Sequence, residues 1–246
     1  MRALAAGSLR TVWPRLMAHF PEPVETRFGP AGLLRERISA GEPCDLFASA
    51  SLDHPQTLLT AGKARRVLPF ASNSLCLTVR SDRVREGEAW HALLDRDDLR
   101  IATSTPVADP SGDYAQLLFD RMGDAGARVR RRARALVGGR DSAARALVGG
   151  RDSAPVPQGK MAAEWIIHSG QAEIFIGYAS YAPALRQREG LTVITLPESV
   201  NPQAVYASAV ITRQGQRLAD FLRSDTAQAI LREAGFGACP GGEPPG

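Results

Sequence analysis

The sequence predicts an α/β fold in which mainly parallel sheets are covered by helices. Short apolar runs alternate along the chain with segments of helical periodicity, which is typical of strand–helix–strand units with right-handed crossovers. The length of 246 residues is sufficient for one large domain or two small lobes. With 44% hydrophobic and 23% charged residues, the composition is ordinary for a globular protein.

Seven short apolar runs are predicted to form the strands. The first, RALAA at 2–6, leads directly into Gly7 and Ser8 and then into a helical pattern, which is the layout of a ligand-binding turn. The other six runs follow in order: CDLFASA at 44–50, SLCLTVR at 74–80, LRIATST at 99–105, AEIFIGYA at 172–179, LTVITLP at 191–197 and YASAVIT at 206–212.

Helical periodicity fills the segments between these runs. The predicted helices are LRTVWPRLMAHF at 9–20, AGLLRERISAG at 31–41, HPQTLLTAGK at 54–63, SGDYAQLLFDRM at 111–122 and QGKMAAEWIIHSG at 158–170. A last helix is predicted over 214–235, and the Pro/Gly-rich tail after it is expected to be loose.

One stretch departs from the alternation, because ARALVGGRDSA at 133–143 is repeated letter for letter at 144–154. An identical tandem copy indicates duplication within the gene, since a solenoid would contain several diverged units. Gly138 and Gly139 are expected to stop a helix between the copies. We therefore expect 133–154 to form an extended or mobile surface segment, remote from the functional site.

The charge pattern argues against a nucleic-acid partner. The net charge is only +4, and one arginine cluster, RVRRRAR at 128–134, stands out. This cluster lacks interleaved aromatic residues, and the rest of the chain is balanced in charge. We predict that it forms the solvated face of a helix.

The cysteines and histidines indicate neither a metal site nor a cysteine nucleophile. Cys44, Cys76 and Cys239 lack metal-ligand spacing, and their odd number excludes a fully paired set of disulfides within the chain. Cys76 lies in an apolar run, where a buried, unreactive thiol is expected. The four histidines are scattered without a recognisable ligand pattern. These residues therefore disfavour a metalloenzyme or a cysteine-nucleophile enzyme, and we predict a protein that binds its ligand without a cofactor and without catalysis.

Four predicted helices begin at junctions rich in Gly, Pro or Ser. The first junction is Gly7-Ser8, and the others are RFGPAG at 27–32, ADPSGD at 108–113 and PVPQGK at 155–160. Helix N-termini bind anions without a formal positive charge, because their N–H groups are unpaired and the helix dipole is favourable. A single junction of this kind is more often an ordinary cap or turn, but four that converge would form an oxyanion site.

Two carboxylates lie in the third junction, where they would repel an oxyanion. Asp113 is predicted in the first turn of its helix, where a negative charge is favourable, and Asp109 belongs to an Asp-Pro turn. If these carboxylates face the ligand instead, the ligand is expected to be a cation or to carry a proton.

Six segments resemble the molybdate-binding, ModA-type periplasmic proteins that serve ABC importers. They are AAGSL, FGPAGLLRERISAGEPCDLFASAS, TSTPVADPSGDYA, VPQG, AEIFIGYAS and FLRSDTAQAILREAGF, and together they extend over nearly the whole chain. The resemblance implies a type II periplasmic binding protein fold, with two α/β lobes joined by two crossover hinge strands. Lobe one would comprise 1–79 and 205–246, and lobe two 80–204, which contains the duplication.

The resemblance also implies which residues bind the ligand. Ser8 matches the hydroxyl and amide donor of the first loop, Ser111 matches a backbone amide donor of the third loop, and Tyr178 matches a tyrosine whose hydroxyl contacts the anion. The implied ligand is molybdate or tungstate. A site of donors alone disfavours phosphate, which keeps a proton near neutral pH and needs an acceptor for it.

Two positions depart from the family pattern. Ala31 stands where a serine is common, so this position keeps its N–H but has no hydroxyl. Pro157 aligns with an amide donor of the fourth loop, and proline has no N–H. Either Gln158 supplies that contact, as we predict, or the contact is absent.

The family also implies a monomer in the periplasm that delivers its ligand to an ABC permease at the membrane. An exported protein carries a leader, but this chain begins on its first predicted strand, so either the leader is missing from the sequence or the protein is cytoplasmic. A cytoplasmic ligand-sensing module is one alternative, although no helix-turn-helix is visible. Another is a binder of a different anion, or of ferric iron through Tyr178 and Tyr181.

Overall fold

The computed structural model describes residues 1–139 and 156–241. The chain forms two units, one built from Met1–Asn73 and Gln203–Gly246 and the other from Ser74–Pro202. Each unit contains a five-stranded sheet with helices packed against it, so the predicted α/β class is confirmed. The sequence analysis placed the first boundary after residue 79, whereas the strand Leu75–Arg80 pairs within the sheet of the second unit.

The strands of the first unit are β1 Arg2–Ala6, β2 Glu25–Gly29, β3 Leu46–Ser49, β4 Arg66–Asn73 and β10 Ala204–Val210. They form one sheet with the strand order β2, β1, β3, β10, β4. Strands β1, β2 and β3 are parallel, and β10 is antiparallel to both of its neighbours. The helices are α1 Trp13–Ala18, α2 Ala31–Ser39, α3 Asp53–Thr60, α9 Gly215–Leu222 and α10 Asp225–Glu233, with a 3₁₀ helix at Gly7–Leu9.

The strands of the second unit are β5 Leu75–Arg80, β6 Ile101–Ser104, β7 Arg134–Val137, β8 Ile174–Tyr178 and β9 Leu191–Thr195. They form one sheet with the strand order β7, β6, β8, β5, β9. Strands β6, β7 and β8 are parallel, while β5 is antiparallel to β8 and β9. The helices are α4 Trp90–Asp95, α5 Pro110–Arg121, α6 Asp124–Arg132, α7 Ala162–His168 and α8 Ala182–Leu185, with 3₁₀ helices at Ser81–Arg83 and Ala179–Tyr181.

Burial of the central strands explains why their sequences are apolar throughout. All four residues of β3 and all five of β8 are buried, since helices cover both faces of a mainly parallel sheet. Among the largest fully buried side chains are Phe47, Phe70 and Tyr206 in the first unit and Phe119 in the second. No helix in the described parts of the chain is long and apolar enough to cross a membrane.

Three strands were not predicted, and each lies at a sheet edge. β2 mixes charged and apolar residues, because an edge strand is only partly buried. β4 contains Pro69, which an edge strand tolerates because its outer N–H groups need no partner in the ladder. β7 is formed by the first copy of the duplicated segment.

The single C-terminal helix predicted over 214–235 is wrong, because the structure contains two helices there. α9 ends at Leu222, and Ser224 caps the start of α10 by accepting a hydrogen bond from the Ala227 N–H at 3.3 Å. A serine followed by aspartate is a common helix-start signal, and here it overrides the continuous apolar periodicity.

The arginine cluster at 128–134 lies mainly on α6, and three of its side chains make contacts within the second unit. Arg128 pairs with Asp95 at 3.3 Å, and Arg130 donates to the Gln116 carbonyl at 3.0 Å. Arg132 donates to the carbonyl oxygens of Leu94 and Leu99 at 2.8 and 2.9 Å. These side chains therefore connect α6 to neighbouring parts of the second unit. The sequence analysis predicted only a solvated helix face for this cluster.

The duplicated segment is only partly described, since its second copy lies outside the described residues. In the first copy, Arg134–Val137 pairs in parallel with β6, so this part is an ordered edge strand and not a loose surface segment. Gly138 and Gly139 follow the strand, and a Cβ at these positions would overlap the side chains of Asp109 and Thr105. The first copy therefore lies beside Asp109 of the third junction, and its distance from the functional site stays a prediction.

Deletion of residues 144–154 tests whether one copy is sufficient for the fold. Because the copies are identical, deleting either one gives the same polypeptide, which retains one ARALVGG sequence for β7 and its glycine turn. We expect the melting temperature to change by less than about 2 °C, because the closure entropy of a chain segment between two elements depends only weakly on its length. A fall of more than about 5 °C in a thermal melt followed by circular dichroism would show that both copies support the fold.

Candidate functional site

The parallel strands of the first unit bring two of the predicted ligand residues to one sheet edge. β1, β2 and β3 end at Ala6, Gly29 and Ser49, and the carboxyl ends of parallel strands lie on the same side of a sheet. We call this side the first edge. Ser8 and Ala31 follow β1 and β2 by two residues each, so both lie at the first edge, where open α/β sheets place their ligands.

Ser8 is held by a hydrogen bond to a tyrosine that the sequence analysis did not single out. Its Oγ lies 2.6 Å from the hydroxyl of Tyr206 on β10. The Asn73 side-chain amide donates to the same tyrosine oxygen at 3.3 Å. The sequence analysis includes Tyr206 only as part of an apolar strand, because a contact between residues 198 positions apart leaves no local signal in the sequence.

Ala31 is the first residue of α2, and only 1% of its surface is exposed. Among the described residues, no side chain caps this helix, because its N-cap residue is Pro30. The N–H groups of the first helical turn lack acceptors within the helix, and the dipole places partial positive charge there. Ala31 can therefore contribute an N–H at the first edge.

Serines at the end of β3 add further polar groups to the first edge. Ser49 is fully buried and its Oγ accepts from the Ser51 N–H at 3.1 Å. The Ser51 hydroxyl in turn accepts from the His54 N–H at the start of α3, at 3.5 Å. These bonds close the turn between β3 and α3, so the two serines support the edge as turn residues.

The second unit has a corresponding edge where β6, β7 and β8 end at Ser104, Val137 and Tyr178. We call it the second edge. Tyr178 is 5% exposed, and its ring meets Tyr114 of α5 edge-on at a centroid distance of 6.4 Å. The position at a strand end agrees with the predicted ligand role, and the burial and ring contact give the residue a packing role as well.

The N-terminus of α5 is capped by the protein itself. The Asp109 Oδ1 accepts from the Ser111 N–H at 3.3 Å, and the Asp109 carbonyl accepts from the Gly112 N–H at 3.0 Å. The Ser111 amide was predicted to bind the ligand, but in the structure it is bonded to Asp109. Aspartate is among the preferred N-cap residues because its side chain replaces the missing acceptor at a helix start.

Burial raises the pKa of Asp109 to about 6, and the neighbouring Asp113 adds to this effect by charge repulsion. The Ser111 N–H acts in the opposite direction but is outweighed. Asp113 accepts the Val107 N–H at 2.8 Å. The second edge therefore presents two carboxylates near the start of α5, which are acceptors when ionised.

The Asp113 contact holds an unusual backbone conformation at Val107. Its φ is 71°, a region that β-branched residues rarely adopt, and its side chain is 74% exposed. Strain of this kind persists only where surrounding contacts impose it. The loop between β6 and α5 is thus fixed at the second edge by the first turn of its own helix.

Gln158 lies in a turn and is not part of a helix start. α7 begins at Ala162 with Met161 as its N-cap residue, and the Pro157 carbonyl accepts from the Lys160 N–H at 3.1 Å within that turn. The Gln158 side chain is exposed. Its predicted ligand contact remains a prediction, and the helix-dipole argument does not apply to it.

The buried cysteines have unreactive surroundings. Burial raises the pKa of Cys76 to about 12, and the same effect together with nearby Asp45 and Glu42 raises that of Cys44 to about 12. A thiol with such a pKa is protonated near neutral pH and is a poor nucleophile. In residues 1–139 and 156–241, no group of three or more His, Cys, Asp or Glu side chains is arranged to hold a metal ion.

Comparison with known proteins gives a family match over most of the chain. The sequence-family model described as bacterial extracellular solute-binding protein matches residues 3–237. An uncharacterised protein of Pasteurella multocida, PM1146, is 41% identical over 246 residues, covering 96% of this chain and 98% of its own length.

Solved structures share the fold at low sequence identity. The periplasmic molybdate-binding protein of Azotobacter vinelandii superposes with a TM-score of 0.73 at 16% identity, covering 96% of this chain and 98% of that one. The sulfate-binding protein SubI of Mycobacterium tuberculosis superposes with a TM-score of 0.72 at 18% identity, covering 98% and 87%. A two-lobed α/β binding-protein fold is therefore established.

Replacing Asp109 by asparagine tests the environment of this carboxyl group. Because its folded-state pKa is raised from 3.8 to about 6, the folded protein binds more protons than the unfolded chain between these values, and stability falls as pH rises through this window. Asparagine keeps the N-cap acceptor without the charge. We expect Asp109→Asn to raise the free energy of unfolding at pH 7.5 by about 1–3 kcal/mol and to flatten its change between pH 4 and 6.

The matched control for Asp109→Asn is Asp113→Asn, which keeps the acceptor for the Val107 N–H at an exposed position. Urea denaturation of both variants across this pH range measures the difference. Lower stability of Asp109→Asn at pH 7.5 would show that the ionised cap is favourable.

Proposed function

The chain belongs to the family of bacterial extracellular solute-binding proteins, and from this premise we propose that it captures a small tetrahedral oxyanion for an ABC importer. The observation that supports the proposal is the first edge, because Ser8 and the start of α2 follow the neighbouring parallel strands β1 and β2 there and no side chain among the described residues caps α2. Both are hydrogen-bond donors without formal charge, which suits a small anion that must later be released.

Molybdate and tungstate are the proposed ligands. The resemblance of the loop sequences to molybdate-binding proteins supports this choice, as do solved neighbours of the same fold that bind molybdate or sulfate. In this proposal Ser8, Ala31 and Tyr178 contact the anion, each at the carboxyl end of a parallel strand. Ser111 and Gln158 remain proposed contacts, and for Ser111 the proposed donor is the hydroxyl, because its amide bonds to Asp109.

Binding without catalysis is the proposed mode of action. The donors at the first edge replace the hydration shell of the anion, and selectivity follows from the number of donors and the size of the ligand. The proposed place of action is the periplasm, the proposed partner is a membrane permease, and the proposed state is a monomer. The family of extracellular solute-binding proteins supports the place and the partner.

The carboxylates of the second edge favour a second candidate ligand. Asp109 occupies the α5 helix start, and Asp113 lies one turn further along the chain. A ligand with its own hydrogen-bond donor, such as hydrogen phosphate, pairs with a carboxylate that repels fully deprotonated molybdate. The same reasoning applies to an organic cation.

Isothermal titration calorimetry of the ligand-free protein decides between these candidates. The panel consists of molybdate, tungstate, sulfate, phosphate and a ferric citrate control, each titrated at pH 5.5 and 7.5. The proposal expects molybdate and tungstate to bind at least a hundredfold more tightly than sulfate, which is about 2.7 kcal/mol. Tighter binding of phosphate would establish the second candidate, and no heat with any oxyanion would reject the proposed function.

Replacing Ser8 by alanine tests the donor at the first edge. A hydrogen bond to a charged ligand contributes about 1.5–3 kcal/mol, so we expect the dissociation constant for molybdate to rise about 10- to 100-fold. The matched control is Ser81→Ala, because the Ser81 hydroxyl also pairs with a hydroxyl, that of Thr192 at 2.8 Å. Ser81 follows β5, which is antiparallel to β8, so Ser81 does not lie at the first or the second edge. Equal affinities of the two variants would remove Ser8 from the site.

A further inference from the structure

Three polar side chains of the first unit form a hydrogen-bond chain that includes Ser8. The Asn73 Nδ2 donates to the Tyr206 hydroxyl oxygen at 3.3 Å, and that hydroxyl lies 2.6 Å from the Ser8 Oγ. Asn73 is 5% exposed and Tyr206 is fully buried, so both residues behind Ser8 are shielded from solvent.

The Tyr206 hydroxyl joins the other two side chains. Its oxygen accepts the Asn73 N–H and has a second lone pair, so either hydroxyl can donate in the bond between Tyr206 and Ser8. With either donor, the 2.6 Å contact holds the Ser8 Oγ against Tyr206 at the first edge.

We propose that Tyr206 is a positioning residue that holds the Ser8 side chain in place at the first edge, where the ligand binds. This inference rests on the proposed function, since it assigns a role to a residue of the same site. A serine side chain can adopt several rotamers, and an anion gains only from one that brings the hydroxyl to it. Fixing the Ser8 side chain beforehand removes the cost of ordering it when the anion binds.

The Tyr206 ring is held firmly enough for this role. It packs edge-on against Phe70 and Phe236 at centroid distances of 6.2 and 5.4 Å. The pairing of β10 with β4 shifts by one residue next to Tyr206, and such a bulge re-aims the side chains beside it.

The C-terminal segment also holds the Tyr206 ring in place. After α10, Gly237 pairs with Ser72 of β4 through two backbone hydrogen bonds of 3.2 and 2.8 Å. A Cβ at Gly237 would overlap the Ser72 hydroxyl, so the close approach requires glycine. This pairing fixes Phe236, the residue before it, against Tyr206.

A double-mutant cycle on molybdate affinity tests the coupling. The variants are Ser8→Ala, Tyr206→Phe and the double variant, measured by calorimetry with sodium molybdate. We expect Tyr206→Phe to weaken binding about tenfold or more, and to have little further effect once Ser8 is alanine. Equal effects of Tyr206→Phe in both backgrounds would overturn the proposal, because loss of general packing does not depend on the Ser8 hydroxyl.

The outcomes separate this inference from the proposed function. If Ser8→Ala leaves molybdate binding unchanged, the assignment of Ser8 to the ligand site fails. If Ser8→Ala weakens binding and Tyr206→Phe does not, only the role of Tyr206 fails. If molybdate gives no heat, crystal structures of the ligand-free wild-type protein and Tyr206→Phe decide: a changed Ser8 rotamer supports the positioning role, and an unchanged one overturns it.

Discussion

The position of β10 between β3 and β4 is the constraint on which the first unit depends. This strand comes from the last quarter of the chain and pairs along Ala204–Val210 with β4 and along Ala207–Val210 with β3. Without it, the parallel strands β2, β1 and β3 would lose their connection to β4, and β3 would become an exposed edge. The same pairing carries Tyr206 to the first edge, so the geometry around Ser8 follows directly from the closure of the sheet.

In the second unit, the chemistry at the sheet edge is decided by one helix cap. The start of α5 has the position of an anion-binding helix terminus, but Asp109 satisfies its N–H groups. With a neutral cap such as serine, the second edge would carry hydrogen-bond donors without a negative charge. The Asp109 carboxylate instead acts as an acceptor above its pKa of about 6. The glycine turn after β7 lies against this carboxylate, which adds to its removal from water.

The α/β class and most central strands could be predicted from the sequence, because buried parallel strands are apolar runs with few interruptions. The edge strand β4 was missed since Pro69 reads as a strand breaker, and only its place in the sheet makes the proline tolerable. At the candidate site, the Asp-Pro-Ser pattern did contain the α5 cap, although a cap and an anion site have the same local signature. The link from Ser8 to Tyr206 joins positions 198 apart, and long-range pairing of this kind is set by the fold.

The two edges differ in whether their hydrogen-bonding groups depend on a proton. At the first edge, the groups are the Ser8 hydroxyl and the N–H groups at the start of α2, which do not change with pH near neutrality. At the second edge, the Asp109 carboxyl accepts when ionised and can donate when protonated, and its pKa is about 6. Under the proposed function, a deprotonated oxyanion would be matched by the first edge throughout this range and repelled less by Asp109 below about pH 6. A ligand that carries its own proton would instead gain from the ionised carboxylate. Under that proposal, the charge state of one helix cap distinguishes the two candidate classes of ligand.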